Sequence, residues 1–353
     1  MCSSDLVLFP LAVLAACGGN DGSTTADQSS DAVLRTADGK IRIVHQADLR
    51  WKGDLAQNEM ESVLERMPDI DIVYAHNDPM ARGAAQACRQ KGRTAIRIVG
   101  VDGLPDEGQK YVADGLLDAT FAYPTCGREA IDLALLACSG VEVAPKRFKL
   151  GSRMYTKATV ASGGSPIRSP DEVVLAQLQQ RHADVLTTEP TIDIVFRVGM
   201  AQCTDDEPWR VQMGKDLRAA ADRYPQIEFT YRAADDDTEK QRGIVRDYIA
   251  QNFNAILISP KESLALAGVA REAMDAGIHV IVIDRELGGD DGDFTCFVGG
   301  DNVRIGAAAA THVASLLGND GGTIVELEGL MTSSPAQERH DGFVQELGLE
   351  KPR

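Results

Sequence analysis

From residue 40 onward, short apolar runs rich in β-branched residues alternate with longer stretches whose apolar positions recur at helical spacing. Strands covered by helices on both faces read as continuous apolar runs, so this alternation predicts strand-helix units on a parallel sheet. Strands are predicted at 40–45, 70–75, 96–101, 119–122, 196–201, 256–259, 279–283, 294–298 and 323–327. Helices are predicted between them at 55–66, 80–91, 209–224, 238–251, 264–276, 302–317 and 336–347. Pro68 and Pro225 each follow a helix and end it, because proline supplies no N–H and clashes with the preceding turn.

The rhythm breaks twice. Residues 161–190 (ASGGSPIRSPDEVVLAQLQQRHADVLTTEP) are bracketed by Gly, Ser and Pro at one end and Thr-Thr-Glu-Pro at the other, and hold one helix-like stretch at 170–185. They are expected to connect two runs of strand-helix units. Residues 6–16 (LVLFPLAVLAA) are apolar but too short for the ~20 residues of a spanning helix, and have the length of a signal-peptide core.

Composition narrows the partners. The 353 residues are 44% hydrophobic, enough for one large or two medium cores. A formal charge of -17 argues against a nucleic-acid backbone or an anionic membrane surface as the main partner. Cys88, Cys126, Cys138, Cys203 and Cys296 fit neither a CxxC metal pattern nor a disulfide framework, and are expected to be small buried residues. There is no GxSxG elbow, phosphate loop, HExxH or strand-borne GxGxxG, so no catalytic residue, metal or cofactor is assigned.

Ligands of open parallel sheets bind beyond the carboxyl ends of the strands. The side chains expected there are Trp51, Asn77, Asp78, Asp102, Tyr123, Glu207, Trp209, Arg210, Asp284, Arg285 and Arg339. Carboxylates, amides and guanidinium groups grip adjacent hydroxyls, and aromatic faces pack against C–H surfaces; together they make an inventory for a sugar. Asp78 is expected instead to cap the helix beginning near Pro79. His76 and His340 are expected to be structural.

These segments resemble the type I periplasmic sugar-binding proteins. The resemblance is carried by YAHNDPM at Asn77, VGVDGLP at Asp102, ATFAYP at Tyr123, DEPWR at Glu207, Trp209 and Arg210, HVIVIDR at Asp284 and Arg285, PAQERHDGF at Arg339, and Trp51 at the stacking position. It implies an α/β fold of two Rossmann-like lobes with parallel sheets, a monosaccharide ligand (pentose, hexose or inositol), and an ABC permease as partner. The family's usual order places the run beginning at Phe196 first, so the chain reads as a circular permutant. On that reading residues 40–123 and 301–353 form one lobe, 124–160 and 192–300 the other, and 161–191 connect them. Residues 14–17 (LAAC) resemble a lipobox, which implies that Cys17 is lipidated, that 1–39 are leader and tether, and that the protein is periplasmic or at the cell surface. A module that reports a sugar or an autoinducer to a chemoreceptor or kinase shares the same lobes and is the alternative.

Overall fold

The computed structural model describes residues 32–189 and 194–352, so the leader, the lipobox and Cys17 lie outside the described residues. In chain order the first half runs β1 (Leu34–Arg35), β2 (Ile41–Asp48), α1 (Gly53–Arg66), β3 (Ile72–Ala75), α2 (Asp78–Gln90), β4 (Arg97–Asp102), α3 (Lys110–Ala113), β5 (Ala119–Ala122), α4 (Gly127–Cys138), β6 (Arg147–Leu150), β7 (Ser152–Thr156), β8 (Ser165–Ile167) and α5 (Pro170–Arg181). The second half runs β9 (Phe196–Gln202), α6 (Pro208–Ala221), β10 (Ile227–Ala233), α7 (Thr238–Ala250), β11 (Ala255–Ser259), α8 (Ala267–Asp275), β12 (His279–Ile283), β13 (Cys296–Gly300), α9 (Asn302–Leu317), β14 (Gly322–Glu328) and α10 (Ser334–Leu347).

Two sheets form, one per lobe. The larger has eight strands in the order β1-β2-β14-β3-β4-β5-β7-β8, and the smaller six in the order β10-β9-β11-β12-β13-β6. Pairing is parallel throughout the small sheet and from β2 to β5 in the large one; β1, β7 and β8 add antiparallel edges. The predicted α/β class and the two-lobe arrangement are therefore present. Strands β3, β11 and β13 are buried at every position, as helices on both faces require.

Read outward from its central strand, each sheet follows one pattern. β9, β10, β11, β12 and β13 occupy the positions first, second, third, fourth and fifth, and β14, β2, β3, β4 and β5 occupy the same positions in the large sheet. The last strand of the chain thus plays the first-strand role in a sheet whose other core strands come from the opposite end. Arg35 and Glu350 exchange backbone hydrogen bonds, each at 2.8 Å, so the two ends of the described chain lie side by side.

Some sheet memberships differ from the sequence expectation. Ala32 and Leu34 are buried and β1 pairs with β2, so the folded region starts before residue 40. β7 and β8, expected within the small lobe and the connector, belong to the large sheet, while β6 belongs to the small one. The chain changes sheet at Gly151, where a Cβ would meet the Ile167 carbonyl oxygen at 2.5 Å; only glycine permits that close crossing. The expected helix of the connector is α5, whose Leu175 and Leu178 are buried in the core. β10 and α4 went unpredicted.

Candidate functional site

Every candidate residue sits just past a strand tip or on the helix that follows. Trp51 follows β2, Asn77 follows β3, Asp102 ends β4, Tyr123 follows β5, and Asp284 and Arg285 follow β12. Glu207 immediately precedes α6, which carries Trp209 and Arg210 in its first turn, and Arg339 lies on α10. All of them line one cavity between the lobes, with about 290 Å³ of empty space, and Pro335 completes its wall. The sequence reading missed Pro335, whose place at the start of α10 offers no polar group to notice.

The small-lobe wall is built around one hydrogen-bonded network. The Arg210 guanidinium donates to Gln202 Oε1 at 3.0 Å, Ser259 Oγ at 3.1 Å and Asp284 Oδ2 at 3.1 Å. Ser259 Oγ donates to the same Asp284 oxygen at 2.9 Å, and the Tyr123 hydroxyl crosses from the other lobe to donate to Asp284 Oδ1 at 2.9 Å. Arg285 donates to the Lys261 carbonyl at 2.9 Å. Gln202 and Ser259 escaped the sequence reading because they end strands without a charge.

On the large-lobe wall, Arg339 Nε donates to Asn302 Oδ1 at 2.9 Å and its Nη1 donates to the His76 carbonyl. Its guanidinium carbon lies 4.5 Å from the Tyr123 ring centroid and 5.4 Å from that of Trp51. Tyr123 in turn stacks on Trp209 at 4.8 Å, and Trp209 Nε1 donates to the Tyr123 carbonyl at 2.9 Å. Tyr123 therefore serves as the pivot between the walls, its hydroxyl already committed. Gly329 makes room for Trp51, since a Cβ there would meet the indole at 2.2 Å.

The expected role of Asp78 changes, and Asn77 gains one. Asn77 caps α2, accepting from Met80 N–H at 3.0 Å, and donates to the Trp51 carbonyl at 3.0 Å. Asp78 is not the cap: its buried carboxylate accepts from Gly103 N–H and from Thr120 Oγ, each at 2.7 Å. α2 begins at Asp78 with Pro79 in its first turn, so Asn77, the residue just before the helix, holds the capping position. His76 and His340 both contact the buried carboxylate of Glu326, at 3.1 Å each.

Strain and unspent polar groups concentrate here. Trp51, Asp102 and Asp284 all have positive φ (68°, 120° and 69°), a conformation that costs about 1–3 kcal/mol apiece and persists where surrounding structure imposes it. Trp51 Nε1, Arg210 Nε and Arg285 Nε are buried without a hydrogen-bond partner among the described residues. Burial pushes the Asp102 carboxyl well above the usual carboxylate range, with Arg339 pulling the other way and Asp78 adding to the rise. Burial also raises Glu207, against the pull of Arg210 and Arg285. Three guanidinium groups and three carboxyl groups thus line the same cavity. Such a lining offers both donors and acceptors to a polar molecule.

Comparison with known proteins finds relatives named for sugars. A profile of the periplasmic binding protein domain matches residues 10–141 and 198–351. The ribose import binding protein of Bacillus subtilis (strain 168) is 32% identical over 148 residues, 42% of this chain and 47% of that protein. The D-allose-binding periplasmic protein of Escherichia coli (strain K12) is 32% identical over 120 residues, 34% of this chain and 38% of that protein. The alignments thus span about half or less of these relatives' own length. Among solved structures, a galactofuranose binding protein is 26% identical, covers 43% of this chain and 52% of its own, and superposes with a TM-score of 0.42.

Proposed function

The chain belongs to the periplasmic binding protein domain family, and from that premise we propose that it captures a monosaccharide between its lobes, leaves it chemically unchanged, and delivers it to an ABC importer. The observation that carries this reading is one interlobe cavity that Trp51, Asn77, Asp102, Tyr123, Glu207, Trp209, Arg210, Asp284, Arg285 and Arg339 all line, and in which buried donors lack partners among the described residues. Relatives named for ribose import and for D-allose binding support a sugar as the ligand. In this reading Asp284, Arg285, Arg339, Asn77 and Asp102 hold hydroxyls, while Trp51, Trp209 and Tyr123 face the ring.

Closure follows from contacts divided between the lobes. A ligand that bonds to both walls is worth more in the closed state than in the open one, and shifts the population accordingly. Lys52–Asp206 at 2.6 Å and Lys149–Glu338 at 2.7 Å already join the lobes at the cleft rim, and Glu286 N–H donates to Ser334 Oγ at 2.8 Å. Export fits the family, with Cys17 as the lipid anchor. The shared strand order of the two sheets, with β14 in the first-strand place, supports a circular permutation.

Trp51 and Trp209 are the only tryptophans and both line the cavity, so intrinsic fluorescence reads the site directly. A saturating monosaccharide should shift emission, and the shift should follow the same isotherm as heat of binding. Heat that saturates with no change in emission would contradict this placement of the ligand.

A further inference from the structure

Behind the sugar-facing side of the large lobe, the Glu326, Glu328 and His340 side chains each bring a ligand atom within 4.8 Å of the others. Glu326 and Glu328 are two residues apart on β14, so their side chains leave the strand on the same face. His340 comes from α10, one residue past Arg339. Its Nδ1 lies 3.1 Å from both Glu326 oxygens and 3.7 Å from Glu328 Oε1. Zn²⁺ bonds of about 2.0–2.2 Å in a tetrahedron place ligand atoms about 3.3–3.6 Å apart, so these separations already approximate a coordination sphere.

The surrounding donors hold the carboxylates in place. Gln46 Nε2 donates to Glu326 Oε2 at 2.7 Å and reaches Glu328 Oε1 at 3.5 Å. Gly329 N–H donates to His76 Nδ1 at 3.3 Å, which leaves the His76 proton on Nε2 to be donated to Glu326 Oε1 at 3.1 Å. His76 is therefore an orienting residue, and metal ligands characteristically have such partners behind them. Glu326 contacts both imidazoles and Glu328 contacts that of His340, and no lysine or arginine forms an ion pair with either carboxylate among the described residues. The Glu326 side chain is fully buried, while those of Glu328 and His340 are 12% and 20% exposed, so the cluster has one side open to solvent.

We propose that Glu326, Glu328 and His340 form a binding site for a divalent transition-metal ion of the Zn²⁺ class, with a remaining coordination position facing solvent. One imidazole with two carboxylates suits Zn²⁺ better than Ca²⁺ or Mg²⁺, which prefer an all-oxygen shell. Gln46 and His76 position the carboxylates without touching the ion.

The test is calorimetric titration of ZnCl₂ into the full chain, untagged and stripped with a chelator, near neutral pH. One ion per chain should bind saturably, and His340→Ala and Glu328→Gln should each weaken uptake at least about tenfold, with Gln46→Ala intermediate. Glu328→Gln alters a partly exposed group and its thermal melt verifies folding, so it decides the matter if His340→Ala misfolds. Absence of saturable Zn²⁺ uptake by the wild-type chain would overturn the proposal. So would wild-type uptake in the folded Glu328→Gln variant, or saturation by Ca²⁺ in place of Zn²⁺.

Discussion

The two lobes carry sheets of the same strand order but are assembled differently. Strands β9 to β13 follow one another along a continuous stretch of chain, whereas the large sheet inserts β14, near one end, between β2 and β3, near the other. Yet both present polar strand tips to the same cavity. Sheet position, more than chain order, decides which side chains reach the cavity. The walls also differ in how their polar groups are bonded. On the small-lobe wall Arg210, Gln202, Ser259 and Asp284 bond one another around a single carboxylate, whereas on the large-lobe wall Arg339 is held by Asn302 and the His76 carbonyl. Each wall keeps a buried donor without a hydrogen-bond partner among the described residues, Arg210 Nε and Arg285 Nε on one and Trp51 Nε1 on the other.

The contrast can be broken most forcefully at Arg210. Removing its buried guanidinium strands Asp284, and breaking one partner of a buried pair costs about 3–5 kcal/mol. Urea unfolding of Arg210→Ala should show a loss of that size, and a cost below about 1 kcal/mol would mean that Arg210 does not hold the small-lobe network together. In the large lobe, Asp78→Ala orphans the Gly103 N–H and should cost about 1–3 kcal/mol. Burial raises the Asp78 carboxyl, with its hydrogen bonds from Thr120 and Gly103 opposing the rise. Above the ordinary carboxylate value of about 4, the folded protein therefore retains a proton that the unfolded chain releases. Stability from this group is fully present below that value and falls as pH rises toward the folded pKa. Asp78→Asn should flatten that part of the stability-pH curve; an unchanged slope would assign it elsewhere.

The smallest effect is expected from the largest rearrangement of the chain. A protein running from residue 194 to 352, through a short flexible linker, then from 32 to 189 retains every described strand and helix. Arg35 and Glu350 are already hydrogen-bonded, so the new link spans little distance, and changes in loop length cost only fractions of a kcal/mol. A cooperative melt within about 1 kcal/mol of the native order is expected; a non-cooperative melt would show that the large sheet depends on chain order after all.

Much of this arrangement was legible because an α/β fold places chemistry at strand ends, and strand ends are easy to see when apolar runs stop at Asp102, Asp284 or Tyr123. What escaped has physical causes. β10 (IEFTYRA) is an edge strand that alternates instead of running apolar, and α4 (GREAIDLALLAC) is buried on nearly all sides, so it lacks an amphipathic stripe. The capping role expected of Asp78 fell to Asn77 through a one-residue helix boundary. The Glu326 cluster joins His76 to residues about 250 positions away, a contact that no local pattern encodes.

The central claim is that the interlobe cavity holds a neutral monosaccharide by groups from both walls. Calorimetric titration of the chain with pentoses, hexoses and myo-inositol tests it most directly, alongside Arg285→Ala and Arg339→Ala. At least one of these compounds should bind one to one, and each substitution should weaken binding by about 1–3 kcal/mol, the cost of an unmade buried hydrogen bond. No saturable binding by any of them, or affinity unchanged in both variants, would contradict it.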